Sequence, residues 1–177
     1  MFESSTQLQC CAAYLRSTAS DRHSNSSSDP VKTASRRLLI VESRDEVFAT
    51  LKRVLEEQAC EVARAVRGTE VAHRTEQFAP DLLLINENMP DESGWLISCK
   101  LRLTRVHKPV WLYAVRPPQF LADWKNICGV DEVIAYRGAV NQLTAQIRQR
   151  LKNWLQSSAN DRQRGRAALT ANSPAAA

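Results

Sequence analysis

The chain has 177 residues, of which 44% are hydrophobic and 24% are charged, so it can form one ordinary domain with a buried core and tails. No apolar run approaches the roughly 18 residues that a membrane-spanning helix needs, and the N-terminus lacks the pattern of a secretory signal. The five cysteines form no CxxC pair or Cys/His cluster. This excludes the usual zinc motifs and favours a reducing, cytoplasmic compartment.

The net charge of +5 is spread over three segments. Residues 35–156 carry 18 basic and 15 acidic side chains, with both signs interspersed, as on an ordinary solvated surface. Residues 1–34 are rich in Ser, Thr and Asn, and residues 157–177 are rich in Arg, Ala and Ser. Both ends are predicted to be disordered, which leaves residues 36–156 as the folded domain.

Within that domain, short apolar runs alternate with segments of helical periodicity. The predicted strands are residues 38–41, 60–66, 82–85, 109–113 and 131–135. Apolar residues at helical spacing follow each strand, beginning at Val47, Val71, Trp95, Phe120 and Val140. The alternation predicts an α/β fold: a doubly wound, five-stranded parallel sheet with strand order 2-1-3-4-5 and helices on both faces.

The functional site of such a sheet lies at the carboxyl ends of its strands, near the point where the strand order reverses. The loops at this edge are residues 42–46, 86–94, 114–118 and 135–138. The residues in these four loops are therefore the first candidates for a binding or catalytic role.

Three stretches carry a resemblance to a known family. They are LLIVESRDE at residues 38–46, PDLLLINENMPDESGW at residues 80–95, and CGVDEVIA at residues 128–135. They resemble the receiver domain of bacterial two-component response regulators, which has the flavodoxin-like fold. Asn88-Met89-Pro90 followed by Ser93-Gly94-Trp95 is the most specific part. The resemblance covers residues 36–156, and it implies a stand-alone receiver because no output domain follows.

The resemblance also implies where the phosphorylation site would be. In the family, an acidic pair and an aspartate bind Mg²⁺, and this aspartate accepts the phosphoryl group. A Thr or Ser, a Lys and an aromatic residue then respond to the phosphate. The corresponding positions here are Glu42 and Ser43 for the acidic pair, Asn86 for the phosphoacceptor, Ala114 for the Thr or Ser, Tyr136 for the Lys and Val133 for the aromatic residue. We therefore expect a degenerate, non-enzymatic pseudo-receiver without Mg²⁺ or phosphorylation.

The nearest carboxylates do not restore the acceptor. Asp81 begins its strand at the wrong end of the sheet, Glu87 is expected on the opposite face, and Asp91 lies in the loop at a position that varies in the family. Arg44, Arg116 and Arg137 either form an anion site at the carboxyl edge or are three separate solvated arginines, and we favour the second interpretation.

The expected partner is a protein, such as a histidine kinase or a regulator of the two-component type, with no membrane and no nucleic acid involved. Trp124, Val133 and Trp154 are candidates for the partner face, on which a homodimer could also form, although inward packing suits both tryptophans equally well. Three alternatives stay open: phosphorylation at a non-standard acceptor, nucleic-acid binding through the basic tails, and an anion-ligand sensor at the arginines.

Overall fold

The computed structural model describes residues 35–104 and 107–171, with side chains described as far as residue 157. The predicted disorder of residues 1–34 lies outside the described residues. The strands are β1 (Arg36–Val41), β2 (Cys60–Ala65), β3 (Leu82–Asn86), β4 (Val110–Ala114) and β5 (Glu132–Ala135). The helices are α1 (Asp45–Glu56), α2 (Val71–Phe78), α3 (Gly94–Leu103), α4 (Leu121–Cys128) and α5 (Val140–Ala171), with a short 3-10 helix (Gly68–Glu70) before α2.

The five strands form one parallel sheet in the order β2-β1-β3-β4-β5, which confirms the predicted fold class and strand order. β1 lies between β2 and β3, so the strand order reverses next to it. All residues of β3 and β4 are buried. This burial explains why both strands have continuous apolar runs instead of alternating polar and apolar residues.

Two hydrophobic clusters form the core, one on each face of the sheet. The first contains Leu38, Ile40, Leu51 and Leu143, and it packs α1 and α5 against the sheet. The second includes Leu39, Leu83, Leu112, Trp95 and Val71, and it covers the other face with α2 and α3. Alternate residues of one strand therefore enter opposite clusters, as the two-residue period of a strand requires.

The last helix differs from the prediction. The composition of residues 157–177 predicts a disordered tail, but α5 continues past Gln156 as far as Ala171. Its last part contains Ala, Arg and Gln, which have high intrinsic helix propensity. The helix therefore does not end where its apolar periodicity ends.

Among the described residues, no helix is both long enough and apolar enough to cross a membrane.

Candidate functional site

The parallel sheet brings the sequence-predicted positions to its carboxyl edge. Glu42 follows β1, Asn86 ends β3, Ala114 ends β4 and Tyr136 follows β5. Asn86 is in register with Tyr113 of β4, and Ala114 is in register with the last residue of β5. The four loops predicted from the sequence therefore meet at one site.

The centre of this site is the carboxylate of Glu42, whose side chain is completely buried. Its Oε1 accepts hydrogen bonds from the backbone N–H of Arg44 at 2.9 Å and from Arg44 Nε at 3.2 Å. Its Oε2 accepts from Arg44 Nη2 at 3.1 Å, from Asn86 Nδ2 at 3.0 Å and from the Tyr113 hydroxyl at 2.7 Å. The bidentate guanidinium pair and the two further donors satisfy a charge that would otherwise be costly to bury.

The titration of these groups follows from the same contacts. Burial alone would raise the pKa of Glu42, but hydrogen bonds from Arg44 and Tyr113 outweigh it and lower the pKa below its ordinary value. The hydrogen bonds to Glu42, followed by the contact with Tyr136, raise the pKa of Arg44. Burial and the negative charge of Glu42 raise the pKa of Tyr113 well above its ordinary value. At neutral pH the site therefore holds a carboxylate, a guanidinium and a neutral phenol.

Asn86, at the phosphoacceptor position, uses both ends of its amide within the site. Its Nδ2 donates to Glu42, and its Oδ1 accepts from the backbone N–H of Asn88 at 3.0 Å. Gly94 packs directly against the backbone at this point: a Cβ there would lie 2.4 Å from the Asn86 carbonyl oxygen. Ser93 then caps α3 by accepting from the N–H of Leu96. The Ser93-Gly94 motif thus fixes the loop that carries Asn86.

Tyr136, at the Lys position, closes the other side of the site. It is buried, and its hydroxyl accepts a long hydrogen bond of 3.5 Å from Arg44 Nη2. The rings of Tyr113 and Tyr136 lie 6.2 Å apart. Ala114, at the Thr or Ser position, is buried and offers only a methyl group. Two aromatic rings and a methyl group therefore line this side of the site.

Two residues of this site are not singled out by the sequence. Tyr113 belongs to the predicted strand 109–113, and in the structure its hydroxyl donates a hydrogen bond to Glu42. The available signal was its position beside Ala114 at the end of a buried strand, where a polar tip can reach the carboxyl edge. Arg64 on β2 donates to the backbone carbonyls of Glu42 and Ser43, both at 2.9 Å, and to Asp45 at 2.6 Å. No sequence motif indicates this long-range contact.

The residues of this site do not fit a Mg²⁺ ion, which prefers several oxygen ligands in octahedral geometry. Both oxygens of Glu42 accept from donors of the protein, and Asn86 Oδ1 accepts from the backbone. Arg44 already supplies the positive charge beside the carboxylate. Across residues 35–104 and 107–171, no cluster of three or more His, Cys, Asp or Glu side chains is arranged to hold a metal.

The other candidate carboxylates are engaged elsewhere. Asp81 accepts from the backbone N–H of Arg37 at the opposite edge of the sheet, as predicted. Glu87 accepts from Trp95 Nε1 at 3.0 Å. Asp91 accepts from the backbone N–H groups of Gly68 and Thr69 at 3.1 and 3.2 Å, and it joins the loop before α3 to the 3-10 helix.

The three arginines at the carboxyl edge have different surroundings. The Arg44 guanidinium is paired with Glu42, whereas Arg116 and Arg137 are exposed in the loops after β4 and β5. Arg44 therefore has an internal anion, the Glu42 carboxylate, as its partner.

The candidate partner residues fall into two groups. Trp154 and Val133 are partly buried and pack against the core. The Trp154 ring meets the Trp111 ring edge-on, with 6.3 Å between the ring centroids, and the Arg36 guanidinium lies over it. Trp124 on α4 is 45% exposed, and its ring centroid lies 5.9 Å from that of Trp95 on α3. Of the three, Trp124 alone offers a large exposed apolar area.

Comparison with known proteins identifies the fold and the family. The family described as "Response regulator receiver domain" matches residues 38–148. The phosphorylated cyanobacterial phytochrome response regulator RcpA has a TM-score of 0.62 at 19% identity, over 70% of this chain and 96% of that chain. A CheY-like receiver from Methanospirillum hungatei has a TM-score of 0.58 at 20% identity, over 70% and 99% of the two chains. At these identities, the structural likeness shows the fold.

A curated relative adds sequence similarity over a shorter stretch. The transcriptional regulatory protein PrrA of Mycobacterium tuberculosis is 33% identical over 80 residues, which cover 45% of this chain and 34% of PrrA. The matched stretch thus spans about a third of this relative. Together with the family match over more than half of the chain, it shows that this chain belongs to the response regulator receiver domain family of two-component signalling.

Proposed function

We propose that this receiver domain works without phosphorylation, as a non-enzymatic protein-interaction module that is held in one conformation by an internal ion pair. The single observation that supports this proposal is the bidentate contact of Arg44 with the buried Glu42 carboxylate. Receiver domains take part in phosphorelay signalling. In this chain the guanidinium would provide permanently the positive charge that a bound metal ion provides elsewhere in the family.

The chemistry of the neighbouring residues supports the same proposal. An amide at Asn86 is no substitute for the carboxylate that attacks a phosphoryl group. Ala114 has no hydroxyl to follow an incoming phosphate, and Tyr136 has no positive charge to pair with it. In this chain, the hydroxyl and the positive charge that would couple a phosphate to a conformational change of the protein surface are absent. Partner binding would therefore depend on a surface that is already formed.

The partner under this proposal is a protein of the two-component type, in a cytoplasmic setting, with Mg²⁺ not required. PrrA is named as a transcriptional regulatory protein, and by analogy the domain would act on a regulator or kinase in such a pathway. A homodimer is the other assembly to test.

The phosphorylation test uses the full chain with acetyl phosphate and Mg²⁺, followed by intact-mass spectrometry. The wild-type chain is expected to keep its mass. A positive control is the variant with Ser43→Asp, Asn86→Asp, Ala114→Thr and Tyr136→Lys, which restores the family's reactive groups. A phosphoryl adduct on a wild-type carboxylate, located by peptide mapping, would refute the proposal and show a non-standard acceptor.

A further inference from the structure

Two cysteines meet where α3 packs against α4. Cys99 lies on α3 and is partly buried, whereas Cys128 ends α4 and is buried. Both thiols are free, and both pack in the hydrophobic cluster on the α3 face of the sheet. An accessible thiol beside a covered one is the arrangement found in many redox-sensing pairs, in which the first reacts and the second resolves.

The packing of the two helices brings these cysteines into register. α3 and α4 follow neighbouring strands of one parallel sheet and pack on the same face, so they run in the same direction. Trp95 of α3 meets Trp124 of α4, with 5.9 Å between the ring centroids. Cys99 and Cys128 each lie one helical turn further along the same side of their helices. The two cysteines are therefore opposite each other, one turn beyond the tryptophan pair.

Hydrogen bonds on either side of Cys99 hold the last turn of α4 against α3. The Ser98 hydroxyl donates to the backbone carbonyl of Cys128 at 2.8 Å. One turn later, the Arg102 guanidinium donates to the backbone carbonyl of Ile127 at 3.1 Å. Because the residues before and after Cys99 both contact the end of α4, the Cys99 side chain is placed beside that end.

The two thiols also affect each other's chemistry. Burial, followed by a hydrogen bond with Cys99, raises the pKa of Cys128 to about 12. Cys128 is therefore a neutral thiol at physiological pH and reacts poorly by itself, because the thiolate is the nucleophile. Since Cys99 is only partly buried, it is the residue that a dissolved oxidant reaches first.

We propose that Cys99 and Cys128 are a site of reversible oxidation, at which a peroxide produces a disulfide between α3 and α4. The Cys99 thiolate attacks one peroxide oxygen, the O–O bond breaks, and the released hydroxide takes up the proton that Cys99 gave up, so a sulfenic acid and water form. The Cys128 sulfur then attacks the Cys99 sulfur, and its proton leaves with the hydroxide as a second water. In total, the two thiols lose two electrons and two protons, and hydrogen peroxide is reduced to two waters.

The other described cysteine is not placed to compete for this bond. Cys60 begins β2, at the opposite edge of the sheet from β5, and it packs in the cluster on the other face. Cys10 and Cys11 lie outside the described residues, so the experiment has to follow them by their own peptide.

A disulfide at this position would make α4 respond to redox conditions. It would join the last turn of α4 to the middle of α3, one turn from the exposed Trp124. In a reducing compartment such a bond is transient and serves sensing instead of permanent stability. The inference goes beyond the proposed function, because the added input uses neither Asn86 nor Mg²⁺, and each of the two proposals can fail alone.

The test treats the reduced full chain with hydrogen peroxide at neutral pH, blocks the remaining thiols with N-ethylmaleimide, and maps tryptic peptides by mass spectrometry without reductant. Trypsin places Cys99 in residues 75–100, Cys128 in residues 126–137 and Cys60 in residues 54–64. The expected product joins the first two peptides and disappears after treatment with dithiothreitol. Cys99→Ser should lose this product, whereas the matched control Cys60→Ser should form it as the wild-type chain does.

A redox titration with reduced and oxidised glutathione tests whether the fold creates the pair. The disulfide should resist reduction roughly tenfold better in the native chain than in the chain unfolded in urea, because the packed helices hold the two sulfur atoms together. Absence of the joined peptide, pairing of either cysteine with another one, irreversible oxidation of Cys99 alone, or equal resistance in urea would overturn the proposal.

Discussion

Replacing Arg44 by alanine tests the internal ion pair directly. The substitution removes both guanidinium contacts to Glu42 and leaves a completely buried carboxylate with only Asn86, Tyr113 and one backbone N–H as donors. Breaking a buried ion pair by removing one partner costs about 3–5 kcal/mol. The Arg44 side chain is itself 53% exposed, so solvent screens the pair and water can replace part of the contact. We therefore expect a loss of about 2 kcal/mol in the free energy of unfolding at pH 7.

The pH dependence separates the charge effect from other effects of the substitution. In the wild-type chain, the pKa of Glu42 is lowered on folding. Its ionised side chain therefore contributes fully to the free energy of unfolding above the pKa of the unfolded chain, near 4.3. This contribution is lost as the pH falls through the pKa of the folded chain. Without Arg44, burial dominates and raises the pKa of Glu42, so the variant loses stability as the pH rises from the unfolded pKa through the folded one. The difference between the two proteins should therefore grow from pH 4 to pH 7.

Urea denaturation of the full chain, followed by circular dichroism at pH 4, 5.5 and 7, measures this difference. The control is Arg53→Ala, an exposed arginine of α1 outside the site, which should change the free energy of unfolding by less than about 0.5 kcal/mol at each pH. Arg44 precedes α1 but provides no side-chain cap, so loss of capping would not imitate the result. A difference below about 0.5 kcal/mol at pH 7, or one that is equal at all three pH values, would refute the reasoning.

Three further substitutions test the rest of the site by the same urea method. Tyr113→Phe removes the 2.7 Å hydrogen bond to Glu42 and should cost about 1.5–3 kcal/mol, whereas Tyr136→Phe, whose contact to Arg44 is 3.5 Å long, should cost less than about 1 kcal/mol; equal losses would contradict this ranking. Asn86→Asp places a second carboxylate beside Glu42 and should cost about 1–3 kcal/mol at pH 7 but less at pH 4, because one carboxyl then takes up a proton; a pH-independent loss would argue against it. Gly94→Ala forces a Cβ to within 2.4 Å of the Asn86 carbonyl and should cost about 1–3 kcal/mol, and unchanged stability would show that the loop shifts freely.

The fold could be predicted from residue patterns because its central strands β3 and β4 are buried on both faces. Leu82–Asn86 is apolar except at its last residue, and the helical periodicity after it has no competing interpretation. The end of α5 could not be predicted in this way, because the sequence beyond Gln156 shows no apolar periodicity. The Ala, Arg and Gln residues of this stretch have high intrinsic helix propensity, and the helix continues to Ala171.

The expected position of the candidate site, and the residue types at the family's reactive positions, followed from the sequence. A parallel sheet brings the carboxyl ends of its strands together, and Asn86, Ser43, Ala114 and Tyr136 could each be compared with a family position. These comparisons rest on residue identity and order along the chain, which do not require coordinates.

Only the tertiary structure decided what fills the site. The sequence favours a separate, solvated Arg44 and gives Tyr113 no polar partner, yet both side chains meet the buried Glu42. Tyr113 is distant from Glu42 in the sequence, and the direction of the Arg44 side chain depends on the chain turn before α1. The sequence determined which residue types stand at the carboxyl ends of the strands, because that is a property of residue identity and order. The structure determined that a guanidinium and a phenol satisfy the remaining carboxylate, because hydrogen bonds depend on where side chains converge in space.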